Sequence, residues 1–381
     1  MSNREMDARW SQLPQDLVKK VLARLPLACV ARARTVCKRW YSMVQTCHFL
    51  RMRREFHSSP EAYLFLYWER ENGEVSMYNA AGKKWQPFFR LSFVPFMVCV
   101  PPIAGAGGLF CFACTESLLV CNFLTRKWRQ IPPLQGFKPA LNPWTFAHLV
   151  LDPDRLGYKI LLGRYEYSHL GHRPSNFRIK LFDSRLSCWK AELSPPPPLE
   201  VSLRGSVGIN SQSLSGHGTT SQVLGNILWC LDNEWRHVMA YDIELNLWIG
   251  EPIRLPRSFR STWFPPCLLE HRGNLCLVGA QDVYGDASSR RIIVHTLDFQ
   301  TNDWNETFYI PHEFYKELDS APYIYKCFLH DDFICFITKD AGVLYSFRDG
   351  SFTTLPMTYT YNWSLLYLSE STLDPTWNVI L

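Results

Sequence analysis

WSQLPQDLVKKVLARLPLACVARARTVCKRW, residues 10–40, is the stretch around which the chain is organised, and it predicts two short amphipathic helices. Pro14 lies where a helix tolerates proline, because the first-turn N–H has no helical partner. The apolar residues after it recur at the spacing of one helical face: Leu17, Val18, Val21, Leu22 and Leu25. Pro26 then ends the helix, since the residue before a proline avoids helical geometry.

A second apolar pattern predicts the next helix, with arginine and lysine mostly on its opposite face. Its members are Val30, Ala33, Val36, Cys37, Trp40, Tyr41 and Val44. Helices this short cannot bury so much apolar surface among themselves in about 40 residues, so some of it should face another protein. The alternative is a small helical cap that packs on the domain behind it.

The spacing of nine residues in this stretch resembles the F-box. They are Leu13, Pro14, Leu17, Leu22, Leu25, Pro26, Val36, Cys37 and Trp40. The resemblance implies that residues 8–55 form a helical domain that binds the Skp-type adaptor of a Skp–cullin–F-box ubiquitin ligase. It also implies that the nine residues form the adaptor interface or its supporting core. An apolar helix face in a groove is a common mode of recognition.

The net charge of +5 is unevenly distributed along the chain. Residues 1–60 hold 12 Lys and Arg against 4 Asp and Glu, or +8, and the remainder holds 28 against 31, or −3. A basic end can indicate nucleic-acid binding. Here the charges lie beside an apolar helix face and no nucleic-acid motif is present, so an acidic protein partner fits better. A merely solvated basic face is the alternative.

Beyond residue 60 a different unit repeats, made of an apolar strand, a polar turn, a tryptophan and then a proline. The tryptophans are Trp85, Trp128, Trp189, Trp248 and Trp304, with Phe352 in a weaker sixth copy. They are 43, 61, 59 and 56 residues apart, with 48 more to Phe352. Spacing near 50 residues predicts a β-propeller of kelch type, here with six blades of about 53 residues. We expect each tryptophan to fill the gap between neighbouring blades.

These repeats resemble the kelch repeats of plant F-box proteins, although the paired glycine of a true kelch repeat is missing. The resemblance implies a mainly β fold, with a small N-terminal α-helical F-box followed by a six-bladed kelch-type β-propeller over residues 61–381. The first unit is one strand short. We therefore expect the segment from Trp363 to Leu368 to complete the first blade, which removes the open edge.

Target recognition is predicted on the face of the ring where second-to-third-strand loops meet the links between blades. The long loops of this kind are residues 165–176 and 282–291, and the links include residues 133–144, 256–263 and 311–325. Most of the candidates there are aromatic or arginine side chains, which are enriched at binding hot spots: Tyr165, Tyr167, His172, Arg173, Arg257, Arg260, Trp263, Arg290, Arg291, Tyr315 and Tyr323. The alternative is that they are ordinary loop residues packed on the blades.

Sequence patterns of common catalytic sites are absent from the chain, including H-E-x-x-H, G-x-S-x-G and the Gly-rich phosphate loop. We therefore predict no catalytic residue and no cofactor. Cys111 and Cys114 form a C-x-x-C in a strand-like run that places them on opposite faces, so we expect no metal site. The 13 cysteines, without a secretory signal, indicate reduced thiols and a location in the cytoplasm and/or nucleus. No apolar run long enough to span a membrane occurs.

The combination implies a substrate-recognition subunit of a Skp–cullin–F-box ubiquitin ligase. Its partners would be the Skp-type adaptor, through it the cullin, and an unidentified target protein, with no direct nucleic acid and no membrane. Such a subunit is not an enzyme and works by proximity. The alternatives are an F-box scaffold or transcriptional cofactor that acts without degradation, and a propeller enzyme with a helical cap.

Overall fold

A computed structural model describes two groups of residues. In the N-terminal region they are residues 13–25, 29–30, 33, 36–44, 46, 48–49, 52 and 56. Beyond residue 60 they are residues 64–69, 74–79, 84–90, 102–106, 109–114, 117–122, 127–134, 146–152, 157–167, 174–190, 221–232, 236–256, 266–282, 290–310, 324–330, 333–338, 342–355 and 366–368.

Two helices of the N-terminal region are described, α1 (Gln15–Ala23) and α2 (Lys38–Val44). Pro14 precedes α1, and its carbonyl accepts the first helical hydrogen bonds from the N–H groups of Leu17 and Val18, at 3.0 and 3.2 Å. The prediction of one continuous second apolar helix from residue 30 is wrong, because the chain turns at Val36 before α2 begins. The β-branched Thr35 and Val36 favour helices only weakly, which suits a break at this point.

Twenty-four strands form six four-stranded antiparallel sheets in the described part of the chain. Sheet 1 contains β1 (Leu64–Glu69), β2 (Glu74–Asn79), β3 (Lys84–Arg90) and β24 (Leu366–Leu368). Sheet 2 contains β4 (Pro102–Ala106), β5 (Leu109–Ala113), β6 (Leu118–Asn122) and β7 (Lys127–Ile131). Sheet 3 contains β8 (Phe146–Leu151), β9 (Tyr158–Tyr167), β10 (Pro174–Asp183) and β11 (Cys188–Lys190).

Sheets 4 to 6 follow the same order. Sheet 4 contains β12 (Ser221–Leu224), β13 (Ile227–Leu231), β14 (His237–Asp242) and β15 (Leu247–Arg254). Sheet 5 contains β16 (Cys267–His271), β17 (Asn274–Asp282), β18 (Arg290–Asp298) and β19 (Asp303–Ile310). Sheet 6 contains β20 (Ile324–His330), β21 (Phe333–Thr338), β22 (Gly342–Ser346) and β23 (Phe352–Leu355). Sheets 2 to 6 each use four strands that are consecutive in the chain, and only sheet 1 does not.

The C-terminal strand β24 completes sheet 1 by pairing antiparallel with β1. Leu368, Tyr367 and Leu366 are opposite Leu64, Phe65 and Leu66. This confirms the prediction that C-terminal residues supply the strand missing from the first blade. The pairing joins segments about 300 residues apart and satisfies an edge of β1 that would otherwise be open.

The chain divides into two compact units. Unit 1 comprises Met1–Ala140, Leu151–Tyr158 and Asn362–Leu381, and it holds the helices with sheets 1 and 2. Unit 2 comprises Leu141–Val150 and Lys159–Tyr361, and it holds nearly all of sheets 3 to 6. Both units are built from blades of the β-propeller type, so the prediction of a mainly β fold with a helical N-terminus is confirmed.

Within unit 2, each pair of consecutive sheets encloses its own apolar cluster. The cluster between sheets 3 and 4 includes Phe146, Phe177 and Tyr241, with Trp248 packed against it. Between sheets 4 and 5 the cluster includes Leu268 and Ile293, with Trp304 packed against it, and between sheets 5 and 6 it includes Val278 and Phe336. Stacking therefore buries the sheet faces that a single blade would leave exposed.

The five repeated tryptophans occupy different environments. The Trp248 ring lies 5.8 Å from the Phe177 ring of sheet 3 and 5.3 Å from the Tyr241 ring of its own sheet. Trp189 instead contacts Phe182 of its own sheet at 5.4 Å. Trp128 is among the exposed apolar residues, and the side chain of Trp85 lies outside the described residues. A gap-filling position between sheets is thus occupied by Trp248 and Trp304.

The spacing of the tryptophan repeat has a local cause in the hairpin between the third and fourth strands. In sheets 3 to 5 an aspartate ends the third strand and its Oδ1 accepts the N–H two residues ahead, at 3.0, 2.9 and 2.8 Å: Asp183, Asp242 and Asp298. The residue four positions after the end of the third strand has positive φ in sheets 3 to 6: Ser187, Asn246, Asn302 and Gly350. The aromatic residue of the repeat follows two residues later, at the start of the fourth strand.

Gly350→Ala should lower the free energy of unfolding by about 1 kcal/mol, because φ is +66° there and alanine avoids that region. The added Cβ would meet nothing closer than the Tyr345 hydroxyl at 3.9 Å, so the cost comes from the backbone alone. Gly350→Asn is the matched control and should cost less, since asparagine occupies the same position in sheets 4 and 5. Urea denaturation measures both, and equal losses in the two variants would contradict the explanation.

Candidate functional site

Helix α1 carries two apolar stripes, of which one is buried and the other is not. Val18 and Leu22, spaced four residues apart, are buried in the helical core. Leu17 and Val21, also spaced four residues apart, are 49% and 42% exposed. Residues at i and i+4 lie on the same face of a helix, so Leu17 and Val21 form a continuous apolar stripe on the outside of the domain.

Two further exposed apolar residues flank the start of α2. Val36 is 50% exposed and Tyr41 is 45% exposed, whereas Met43 and Val44 of the same segment are buried. The helical core is complete without these exposed side chains: Val18, Leu22, Ala23, Val30, Ala33, Met43, Val44 and Phe49. We call Leu17, Val21, Val36 and Tyr41 the exposed apolar set. Four large apolar side chains left outside a closed core are suited to binding another protein.

Hydrogen bonds hold the segments that carry the exposed apolar set. The Arg39 guanidinium donates from Nη2 to the Leu13 carbonyl at 3.2 Å and thereby ties α2 to the segment that leads into α1. The Trp40 N–H donates to Cys37 Sγ at 3.4 Å and satisfies one of the free donors at the start of α2. The backbone that presents Leu17, Val36 and Tyr41 is therefore held by one long-range hydrogen bond and one local hydrogen bond.

The structure divides the nine F-box candidates by position. Leu22 lies in the core, and Leu13, Leu25 and Trp40 are partly buried and pack against it. Cys37 is partly buried at the start of α2, whereas Pro14, Leu17 and Val36 are exposed. Pro26 lies outside the described residues. The sequence pattern did not separate buried from exposed members of the nine, and the structure does so.

Val21 and Tyr41 were absent from the candidate residues, although both belong to the apolar helical patterns. The signal that could have found Val21 is its position four residues after Leu17, which places the two on one face. Tyr41 gave a weaker signal, because it belongs to the same apolar pattern as Trp40 and Val44. Trp40 is partly buried and Val44 is fully buried, and the break at Val36 was not predicted.

Exposed basic residues accompany the apolar set. Lys20 and Arg24 lie on α1 and Lys38 begins α2, all three exposed. The Arg24 guanidinium also lies 4.0 Å from the centre of the Phe56 ring, a cation–π contact that holds Phe56 beside the C-terminal end of α1. The domain therefore presents positive charge next to apolar surface, which suits a partner with acidic residues around an apolar groove.

Most of the target-face candidates lie outside the described residues, namely His172, Arg173, Arg257, Arg260, Trp263, Tyr315 and Tyr323. The predicted loop over residues 165–176 is wrong at both ends, because β9 continues through Tyr167 and β10 begins at Pro174. The predicted loop over residues 282–291 is also wrong at its ends, since Asp282 of β17 pairs with Arg290 of β18. Alternating tyrosines such as Tyr165 and Tyr167 favour strands, which extends the hairpin. Arg291 also lies in β18, opposite Gln281.

The described cysteines are all free thiols. Burial raises the pKa of the Cys111, Cys121 and Cys230 thiols far above the ordinary value, so these groups stay protonated and unreactive. Among the described residues no three His, Cys, Asp or Glu side chains are grouped so that they could hold a metal ion. No helix in the same part of the chain is long and apolar enough to cross a membrane.

Residues 10–52 match the family model of the F-box domain. F-box only protein 6 of Arabidopsis thaliana is 30% identical over 185 residues, which cover 45% of this chain and 39% of that protein. The Arabidopsis protein UNUSUAL FLORAL ORGANS is 23% identical over 369 residues, which cover 90% of this chain and 77% of that protein. An Arabidopsis F-box/kelch-repeat protein is 30% identical over 135 residues, covering 34% of this chain and 31% of that protein.

Proposed function

We propose that this chain, whose residues 10–52 match the F-box domain and whose relatives include plant F-box/kelch-repeat proteins, is the substrate-recognition subunit of a Skp–cullin–F-box ubiquitin ligase. The observation that carries the proposal is the exposed apolar set, which lies inside the F-box and outside its closed core. In this proposal Leu17, Val21, Val36 and Tyr41 contact the Skp-type adaptor. The residues that support these contacts from the helical core are Leu13, Leu22, Leu25 and Trp40.

The remainder of the chain recruits the target in this proposal. In it, residues 8–55 are the F-box and residues 61–381 are a kelch-type propeller of six blades. The chain forms no bond with its target and catalyses nothing itself. It holds target lysines near the charged ubiquitin carrier, which raises their effective concentration. Its place of action is the cytoplasm and/or nucleus, where cullin ligases would meet it.

Leu17→Asp and Val36→Asp should each weaken binding to a purified Skp-type adaptor about 100-fold, because each places a carboxylate in a desolvated apolar contact. Both side chains are half-exposed in the free chain, so neither change should disturb the helical core. Isothermal titration calorimetry measures the affinity, and far-UV circular dichroism checks the fold.

Leu245→Asp is the matched control for this experiment. Leu245 is 59% exposed and lies in a hairpin of sheet 4, so the same chemical change should leave adaptor binding unaltered. Wild-type affinity in both F-box variants would show that the exposed apolar set is not the contact. Absence of binding by the wild-type chain would end the proposed function as a whole.

A further inference from the structure

The exposed apolar stripe on α1 is followed by an arginine at the end of the helix. Arg24 is seven residues after Leu17 and three after Val21, so the three positions lie on one face. Arg24 comes directly after α1 and keeps nearly helical geometry, with φ −86° and ψ −9°. Its N–H donates to the Val21 carbonyl at 3.1 Å. The exposed Arg24 side chain therefore continues the stripe past the last turn.

A phenylalanine ring lies against this arginine. Arg24 Cζ is 4.0 Å from the centre of the Phe56 ring, well within the distance of about 6 Å at which a guanidinium is attracted to an aromatic face. Phe56 is 37% exposed, although Met52, four residues earlier, packs against the helical core. The Phe56 ring therefore adds exposed apolar surface at the C-terminal end of the stripe.

The Arg24 guanidinium has donors available for an anion. It carries five N–H donors, and in the described part of the chain none of them has a hydrogen-bond or ion-pair partner. Asp16 is the only carboxylate among the described residues of the N-terminal region, and it lies eight residues earlier, about 12 Å away along the helix. Its Oδ1 is instead 3.9 Å from Lys19 Nζ. An anion for Arg24 must therefore come from elsewhere.

The Arg24–Phe56 pair lies at the edge of the F-box. The family match ends at residue 52, so Phe56 lies outside it, and Arg24 is not among the nine residues whose spacing resembles the F-box. The pair continues the exposed apolar set, which indicates that one partner covers both. Charge complementarity points to the same partner, because Lys20 and Lys38 are also exposed here and favour a protein with carboxylates around an apolar groove.

We propose that the Arg24–Phe56 pair extends the adaptor-binding surface beyond the F-box. The Phe56 ring contacts an apolar residue of the Skp-type adaptor, and the Arg24 guanidinium binds an adaptor carboxylate beside it in two parallel hydrogen bonds. This inference rests on the proposed function, because it extends the same surface. The cation–π contact holds both side chains in place before the adaptor arrives, so less conformational entropy is lost on binding.

Isothermal titration calorimetry with the full-length chain and a purified Skp-type adaptor tests this extension. Phe56→Ala and Arg24→Met should each weaken binding about tenfold, the size of one lost apolar anchor or one lost charge-assisted hydrogen bond. Methionine keeps an apolar stem against the Phe56 ring and removes only the charge. Phe299→Ala and Arg348→Met are the matched controls, since both residues are exposed on hairpins of sheets 5 and 6, and neither should change the affinity.

Salt dependence separates recognition of the adaptor from a merely structural role. An increase from about 0.05 M to about 0.5 M salt should weaken adaptor binding by the wild type more than by Arg24→Met, because salt screens the contact between Arg24 and the carboxylate. The double variant Arg24→Met/Phe56→Ala should lose less affinity than the two single losses combined, since the two groups act together. Equal salt dependence in the wild type and Arg24→Met would overturn the carboxylate contact.

The outcomes also distinguish this extension from the proposed function. If the wild-type chain binds the adaptor and both Phe56→Ala and Arg24→Met bind it equally well, only the extension fails. Lower stability of Phe56→Ala in urea without a loss of adaptor affinity would show that Phe56 packs within the chain, and this too would overturn the extension. Absence of adaptor binding by the wild-type chain would end the proposed function itself.

Discussion

Gly163→Ala should lower the free energy of unfolding by about 3 kcal/mol, the largest stability loss that we expect from so small a change. A Cβ at Gly163 of β9 would overlap the Phe146 ring. Phe146 is buried, and its ring lies 5.8 Å from the Phe177 ring and 5.6 Å from the His148 ring. The ring therefore cannot withdraw without repacking the cluster between sheets 3 and 4.

Urea denaturation of the Gly163→Ala variant measures this loss. The double variant Gly163→Ala/Phe146→Leu is the matched test of the cause, because a smaller side chain at 146 makes room for the added methyl group. Phe146→Leu should therefore lower the free energy of unfolding by much less in the Gly163→Ala background than in the wild type. Additive losses, or a Gly163→Ala chain as stable as the wild type, would contradict the steric explanation.

Acidification from about pH 7.5 to about pH 5 should remove about 2 kcal/mol of stability through His148 alone. Burial lowers the pKa of His148 to about 4, although its hydrogen bond to Ser221 acts in the opposite direction. In the unfolded chain an imidazole titrates at about 6.5, so the unfolded state takes up the proton first as the pH falls. The contribution is complete above about pH 6.5 and declines toward about pH 4, where the folded state is also protonated.

The His148 side chain that titrates also forms a hydrogen bond between two sheets. His148 Nε2 lies 2.7 Å from Ser221 Oγ, and the bond joins β8 of sheet 3 to β12 of sheet 4. His148→Gln retains a polar side chain and removes the titration. Urea denaturation at both pH values should show that acidification lowers the free energy of unfolding by about 2 kcal/mol less in this variant than in the wild type. The effect of the carboxylates is common to both chains and cancels in this comparison. The same acid loss in both chains would show that His148 does not titrate between these pH values.

Much of the fold was predictable because it depends on patterns within a few residues. The apolar spacing around Leu22 marks the F-box helix, and the tryptophan repeat marks the blades. In sheets 3 to 5 the hairpin before the tryptophan repeats an aspartate and a positive-φ residue at fixed offsets. The strand from Leu366 to Leu368 was also foreseen, from the missing strand of the first blade. The candidate site was predicted as a set of nine residues without a division into core and surface.

Local sequence patterns were sufficient to predict the helical F-box, the mainly β remainder and the family resemblance. Each rests on short periods of hydrophobicity and on turn residues, and these act through local φ and ψ preferences. Three features became visible only in the folded chain: Val18 is buried and Leu17 exposed, Gly163 faces the Phe146 ring, and Arg254 is the cross-strand partner of His237. Burial and side-chain neighbours depend on which distant segments pack together, and a local pattern carries no record of them.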